Sequence, residues 1–116
     1  MSIPIEGLAP MLQIFDMPTS LAFYRDALGF ELVAQAGPVD DIGCVLLRRD
    51  SIELMLNTAH EKPDRPTAPD PDRVAAHLDT VLYFGCPDVD AAYRHLQAKG
   101  IPVTEPAIAP CGMKQL

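Results

Sequence analysis

The sequence lacks several features that would each indicate a particular class of protein. Lysine and arginine number 9 against 16 aspartate and glutamate residues, and the formal net charge is −7. A chain of this sign repels a phosphate backbone, so the composition argues against nucleic-acid binding and favours a cationic or neutral ligand. No apolar run approaches the roughly 20 residues that a membrane-spanning helix needs. We therefore expect neither a nucleic-acid partner nor a membrane partner.

Cysteine is also scarce, and its spacing has no pattern. The three thiols form neither an even set nor a close pair, which predicts reduced side chains and argues against a disulfide framework or a zinc knuckle. The three histidines likewise lack the spacing of metal ligands. The first residues have neither the basic start nor the apolar stretch of a signal peptide, so we expect a cytoplasmic protein. The cysteines are Cys44, Cys86 and Cys111, and the histidines are His60, His77 and His95.

A strand, a helix and a helix stop follow one another in the first third of the chain. Alternating apolar residues predict a strand over 8–15, and Asp16 with Pro18 supplies the chemistry of a helix start. Leucines at helical spacing predict a helix over 19–28, which Gly29 ends. Period-two patterns then predict strands over 30–35, 42–48 and 51–57.

The middle of the chain differs in character. Prolines 63, 66, 69 and 71 fall among charged residues, which predicts a linker over about 58–79 with at most one helical turn, near 72–77. Such a linker either spans a distance or lies over a site. Beyond it the patterns predict a strand over 80–86, a helix from Asp88 to Gly100, a short strand over 101–105, and a further strand from 113. Strand, helix, glycine and strand therefore occur twice, which indicates two copies of one module in a single domain.

Several motifs within these two copies resemble one known family. They are Asp16, the run 20–32, Ile52-Glu-Leu54, the run 86–93 with Leu96, Gly100-Ile-Pro-Val103, and the run 110–114. The chain resembles the glyoxalase, bleomycin-resistance and extradiol-dioxygenase superfamily, which has the vicinal oxygen chelate fold. The resemblance implies an α+β domain, residues 1–116, of two βαβββ modules whose curled mixed sheets surround a cavity.

The same resemblance implies the order of the modules and a partner. Module one covers about 6–57, the proline-rich linker about 58–79, and module two about 80–116. The second module lacks its final strand or strands in this sequence, which would leave an open sheet edge. We therefore expect either that the natural chain continues beyond Leu116 or that a partner covers the edge, and the family implies a homodimer.

Metal-dependent members of the family hold a divalent ion on four side chains. The corresponding positions here are Ala9, Glu53, a residue near Val81, and one beyond Leu116. One carboxylate is too few for the coordination shell of a catalytic divalent ion. No cofactor is expected, and a divalent metal is disfavoured.

Glu53 and its neighbours are the candidate site. Glu53 is a candidate catalytic base for proton abstraction beside a carbonyl, and the competing interpretation is an exposed or hydrogen-bonded strand residue. The candidate ligand-binding residues share the predicted cavity side, although they could instead simply fill the core. They are Met11, Gln13, Glu53, Met55, Asn57 and Tyr83.

Three functional hypotheses follow from the resemblance. The leading one is a protein that binds a small organic molecule in a metal-free cavity, as the bleomycin-resistance branch does. The second is a lyase, an isomerase or a dioxygenase-related enzyme that uses Glu53 as base or metal ligand. The third is a scaffold or interaction domain that has lost its site.

Overall fold

The computed structural model describes residues 2–38, 40–58 and 66–116. The chain divides into two compact units, the first ending at His77 and the second beginning at Leu78. Helices and a mixed sheet occur together, which confirms the α+β class. No helix among the described residues is long and apolar enough to cross a membrane.

The first unit contains a four-stranded sheet in the order β1-β4-β3-β2. Strands β1 and β4 run parallel, whereas β3 is antiparallel to both of its neighbours. Element α1 continues directly into a π-helical segment, and α2 lies near the end of the unit. The elements are β1 (Met11–Ile14), α1 (Met17–Leu21), the π-helical segment (Ala22–Ala27), β2 (Glu31–Ala36), β3 (Cys44–Arg49), β4 (Ile52–Thr58) and α2 (Pro71–Ala76).

The core of this unit lies between α1 and one face of the sheet. Strands β3 and β4 each contribute two side chains that are at most 1% exposed. Met17, Leu21 and Phe30 pack against them from the helix and its exit. Because alternate side chains of a strand point to opposite faces, this burial fixes which residues face away from α1. The four strand residues are Val45, Leu47, Leu54 and Leu56.

The second unit contains α3 (Val89–Ala98) and an antiparallel pair of short strands, β5 (Ala107–Ile108) and β6 (Lys114–Gln115). The Asp88 carboxylate accepts a hydrogen bond from the N–H of Ala91 at 3.0 Å. This bond satisfies one of the free donors at the helix start, so the predicted cap is confirmed. Lys114 Nζ lies 2.7 Å from a carboxylate oxygen of Asp90 and joins β6 to α3.

Several predicted boundaries were wrong. The described segments 80–86 and 101–105 form no strand, because a strand needs a hydrogen-bonded neighbour and alternation alone does not supply one. The first strand is limited to β1, since only those residues pair with β4. The first helix begins at Met17 and not at 19, and its second half is π-helical. Within the linker, Pro63 and His60 lie outside the described residues.

The predicted helix stop at Gly29 is confirmed, and a side chain of β3 contacts it. Gly29 has φ +81°, and the N–H of Phe30 donates to the Tyr24 carbonyl at 3.0 Å across the helix end. The Arg49 guanidinium donates to the Gly29 carbonyl at 3.0 Å. A methyl group on Gly29 would lie 2.1 Å from the same guanidinium. A side chain here would therefore strain the backbone and also displace Arg49.

We expect Gly29→Ala to lower the free energy of unfolding by about 2 kcal/mol, because left-handed strain costs roughly 1–2 kcal/mol and the Arg49 hydrogen bond is lost. Urea denaturation measures the change. Gly100→Ala is the matched control for strain alone, since Gly100 has φ +75° but open space around it. Gly85→Ala, with neither constraint, should leave stability unchanged. Equal losses for Gly29 and Gly100 would contradict a role for the Arg49 contact.

The Tyr24 ring packs edge-on against Phe23 and Phe30, with centroids 4.9 and 6.4 Å apart. Burial raises the pKa of its phenol above the ordinary value of 10.0, because the phenolate is poorly solvated there. The folded chain thus holds this proton more tightly than the unfolded chain, and stability falls as pH rises through and beyond 10.

We expect Tyr24→Phe to make that alkaline loss of stability shallower in urea denaturation series at increasing pH. Superimposable curves for the two proteins would refute this.

Candidate functional site

The sheet of the first unit has a second face, which points away from α1. We call it the far face and define it by the residues that alternate with the core positions of β1, β3 and β4. Five of them are half-buried, whereas Gln13, Arg48 and Met11, the last of which is 54% exposed, are exposed. The far face consists of Met11, Gln13, Cys44, Leu46, Arg48, Glu53, Met55 and Asn57.

Strand register arranges these side chains in three rows that differ in chemistry. Met11 lies opposite Met55, which lies opposite Leu46, and this gives an apolar row. The next row contains Gln13 and Asn57, two neutral amides, with the Cys44 thiol beyond them. Cross-strand neighbours are close enough for their side chains to touch, so each row acts as a unit.

The third row contains an ion pair. Arg48 Nη2 lies 2.9 Å from Glu53 Oε2, with the two side chains 47% and 30% exposed. Glu31 lies opposite Arg48 on the other side. The Glu53 carboxylate is therefore engaged through Oε2, and taking a proton from a substrate would cost it the charge attraction of Arg48. The catalytic role of Glu53 stays a prediction.

A contact from α2 reaches the amide row. The Arg73 guanidinium donates a hydrogen bond to the Gln13 side-chain carbonyl, although 60 positions separate the two residues. Asp70 caps α2 by accepting from the N–H of Asp72 at 3.0 Å, and Pro71 occupies its first turn. The proline-rich segment therefore ends in a short ordered helix with one side chain on the far face.

The sheet brings together five of the six predicted ligand-binding residues. Four of these lie in the apolar and amide rows, and Glu53 lies in the ion-pair row. Tyr83 belongs to the second unit, in a segment that forms no strand, and its side chain is 72% exposed.

The comparisons with known proteins agree with this architecture. A family model described as Glyoxalase/Bleomycin resistance protein/Dioxygenase superfamily matches residues 8–111. The chain belongs to this superfamily. No curated protein matches the sequence of this superfamily member.

Solved structures of similar fold include proteins described in three different ways. TnmS3, an antibiotic binding protein from Streptomyces sp. CB03234, has a TM-score of 0.63 at 21% identity, covering 95% of this chain and 82% of its own. A lactoylglutathione lyase from Agrobacterium tumefaciens has a TM-score of 0.61 at 21% identity, covering 97% and 84%. A bleomycin resistance determinant encoded on the transposon Tn5 has a TM-score of 0.61 at 21% identity, covering 95% and 84%. At these identities the likeness shows the fold alone.

The residues present in this superfamily member do not fit the family's divalent metal. Ala9, at the predicted first ligand position, carries only a methyl group, and Val81, near the predicted third position, offers no donor. The N–H of Met55 donates to the Pro10 carbonyl at 2.8 Å, which holds the residues just before β1 against β4. Within the described ranges, no group of three His, Cys, Asp or Glu side chains could hold a metal ion. One ion-paired carboxylate is insufficient for such a site.

Sequence reasoning missed two cationic residues of the far face. Arg48 could have been found, because a two-residue turn at 50–51 pairs Arg49 with Ile52 and therefore Arg48 with Glu53. The predicted turn was one residue too early, which hid this pairing. Arg73 had no comparable signal, since its contact with Gln13 depends on the path of the linker.

We expect a double-mutant cycle with Arg48→Gln and Glu53→Gln to give a coupling energy of about 0.2–1 kcal/mol, the range of partly exposed ion pairs. Denaturation of the two single variants and the double variant measures it. The coupling should decrease at high salt, because ions screen the pair. A coupling of zero at low salt would show that the two side chains do not interact in solution.

Proposed function

We propose that the chain binds a small organic molecule on the far face of its first sheet, without a metal ion. The observation that carries the proposal is the parallel arrangement of an apolar row and an amide row on half-buried strands. Binding sites for organic molecules combine an apolar lining with a few polar groups that set orientation. The family's homodimer stays a prediction.

The apolar row suits the body of such a ligand. Met11 and Met55 are unbranched and polarisable, so they can adapt to an aromatic or aliphatic surface. Leu46 extends the row on β3. A ligand lying along it would remove exposed apolar surface from water, and this is the favourable term in binding.

The amide row suits the polar groups of the ligand. Gln13 and Asn57 each carry a donor and an acceptor, so they can recognise hydroxyl, amide or carbonyl groups. Two of the similar structures are described as an antibiotic binding protein and a bleomycin resistance determinant, which supports a binding role.

A lyase activity is the competing proposal. It is supported by the similar structure of a lactoylglutathione lyase, and Glu53 would be its base. The 2.9 Å contact between Glu53 and Arg48 counts against it, because a Glu53 that has taken up a proton loses its charge attraction to Arg48. We therefore place binding ahead of catalysis.

A thermal-shift screen of aldehydes, thiol conjugates and cationic drugs tests the proposal, with binding mapped by the methyl NMR signals of the methionines. Compounds that raise the melting temperature should shift the signals of Met11 and Met55. We expect Met55→Gln to weaken a hit about tenfold, because it removes apolar contacts worth roughly 0.8 kcal/mol per methylene. Met113→Gln, at an exposed position in the second unit, should not change the affinity. Equal weakening by both variants would contradict binding at the far face, and a screen without hits would favour a scaffold.

Metal dependence is tested on the same hits. We expect affinity to be unchanged after treatment with a chelator, and elemental analysis of the purified protein should show no stoichiometric divalent ion. A divalent ion whose removal abolishes binding or turnover would refute the metal-free proposal and favour the enzyme.

A further inference from the structure

The Arg73 contact is not explained by packing of the helix that carries it. All six residues of α2 are described, and none of them is buried. Val74, next to Arg73, is 54% exposed. Holding a long arginine side chain in one position costs rotamer entropy. The side chain nevertheless extends to the amide row, so its position is determined by the polar surface there.

Like Arg49, which donates to the Gly29 carbonyl, Arg73 donates to a neutral group, whereas three other basic side chains pair with carboxylates. Arg48, Arg25 and Lys114 each pair with a carboxylate. Among the described residues, the partner of Arg73 is Gln13, whose amide is neutral. A guanidinium has five N–H donors in a planar fork, and a single carbonyl oxygen satisfies only part of them. A positive charge with free hydrogen-bonding capacity therefore lies at the amide row.

We infer that Arg73 is a specificity-determining residue that selects a ligand bearing a carboxylate group, an inference that rests on the proposed binding role of the far face. A carboxylate accepts two parallel hydrogen bonds from a guanidinium, which an uncharged amide of the same size cannot do as well. The amide hydrogens of Gln13 and Asn57 can donate to the same oxygens. Arg73 would then turn from Gln13 to the ligand.

The geometry of the sheet also sets the length of the ligand. Residues 11 and 13 on β1, and 55 and 57 on β4, are two positions apart, so the rows are separated by about 7 Å at 3.3–3.4 Å per residue. A molecule with its carboxylate at the amide row and its apolar group at the methionine row would span this distance. An aromatic ring joined to a carboxylate by three methylene groups has about that span.

The acidic composition does not oppose this assignment. The net charge of −7 acts through a long-range field, which physiological salt screens over about 8 Å. A carboxylate at the amide row is in contact with the guanidinium, where the local charge outweighs the distant ones. The local arrangement thus favours an anionic ligand, whereas the composition alone favours a cationic or neutral one.

A matched pair of probes tests the inference: 4-phenylbutyrate and its uncharged counterpart 4-phenylbutanamide. NMR titration of the methionine methyl signals gives both dissociation constants. We expect the wild-type chain to bind the acid about threefold or more tightly than the amide, the range for a partly exposed charge pair. In Arg73→Gln that preference should disappear, while affinity for the amide stays within about twofold.

Arg94→Gln is the matched control, because Arg94 is an exposed arginine on α3 of the second unit. It should keep the preference for the acid. Loss of the preference in Arg94→Gln, or its persistence in Arg73→Gln, would overturn the assignment to Arg73. If wild type binds both probes equally at Met11 and Met55, the inference is wrong and the binding face stands. If neither probe shifts these signals but hits from the screen do, the inference that the ligand bears a carboxylate is wrong. If no compound shifts them, the proposed binding of ligands on the far face is wrong as well.

Discussion

The structure depends on the register of β4, which pairs with β3 over 52–57 and with β1 over 55–58. Its side chains alternate between two environments, with Leu54 and Leu56 in the core and the intervening residues on the far face. A slip of one residue would exchange the two sets and place a carboxylate among the core leucines. The register of this strand therefore determines both the stability of the core and the composition of the candidate site.

The same register bears on the prediction that Glu53 does not belong to a metal site. Strand β1 runs parallel to β4, and their pairing begins at Met11 and Met55, two positions beyond Ala9 and Glu53. Ala9 has a methyl group, and Glu53 has a carboxylate that pairs with Arg48 across the hairpin. Arg48 therefore balances the charge of the Glu53 carboxylate without a bound metal ion. The rest of this face includes thioethers and amides, on which the proposed binding of an organic molecule rests.

The elements predicted well are those specified by local chemistry. Gly29 ends the first helix because its backbone adopts a left-handed conformation, and Asp88 begins α3 because its side chain satisfies a free N–H. Strands β2, β3 and β4 lie within one or two residues of their predicted positions, since hairpins pair neighbouring segments. The segment 80–86 contains the apolar run Val81 to Phe84 but forms no strand, because an apolar run cannot by itself provide a pairing partner.

The sequence by itself determined the class of fold, the helix ends, the family and the side of β4 on which Met55 and Glu53 lie. These follow from periods of two and 3.6 residues and from residues with special backbone or capping properties, all of which act over a few positions. Only the tertiary structure decided which charges meet on the far face. Arg48 reaches Glu53 through the exact length of a turn, and Arg73 reaches Gln13 across 60 positions of chain. The Arg73 contact depends on the path of the whole unit, which no local pattern encodes, whereas the Arg48 pair needs only the correct placement of a two-residue turn.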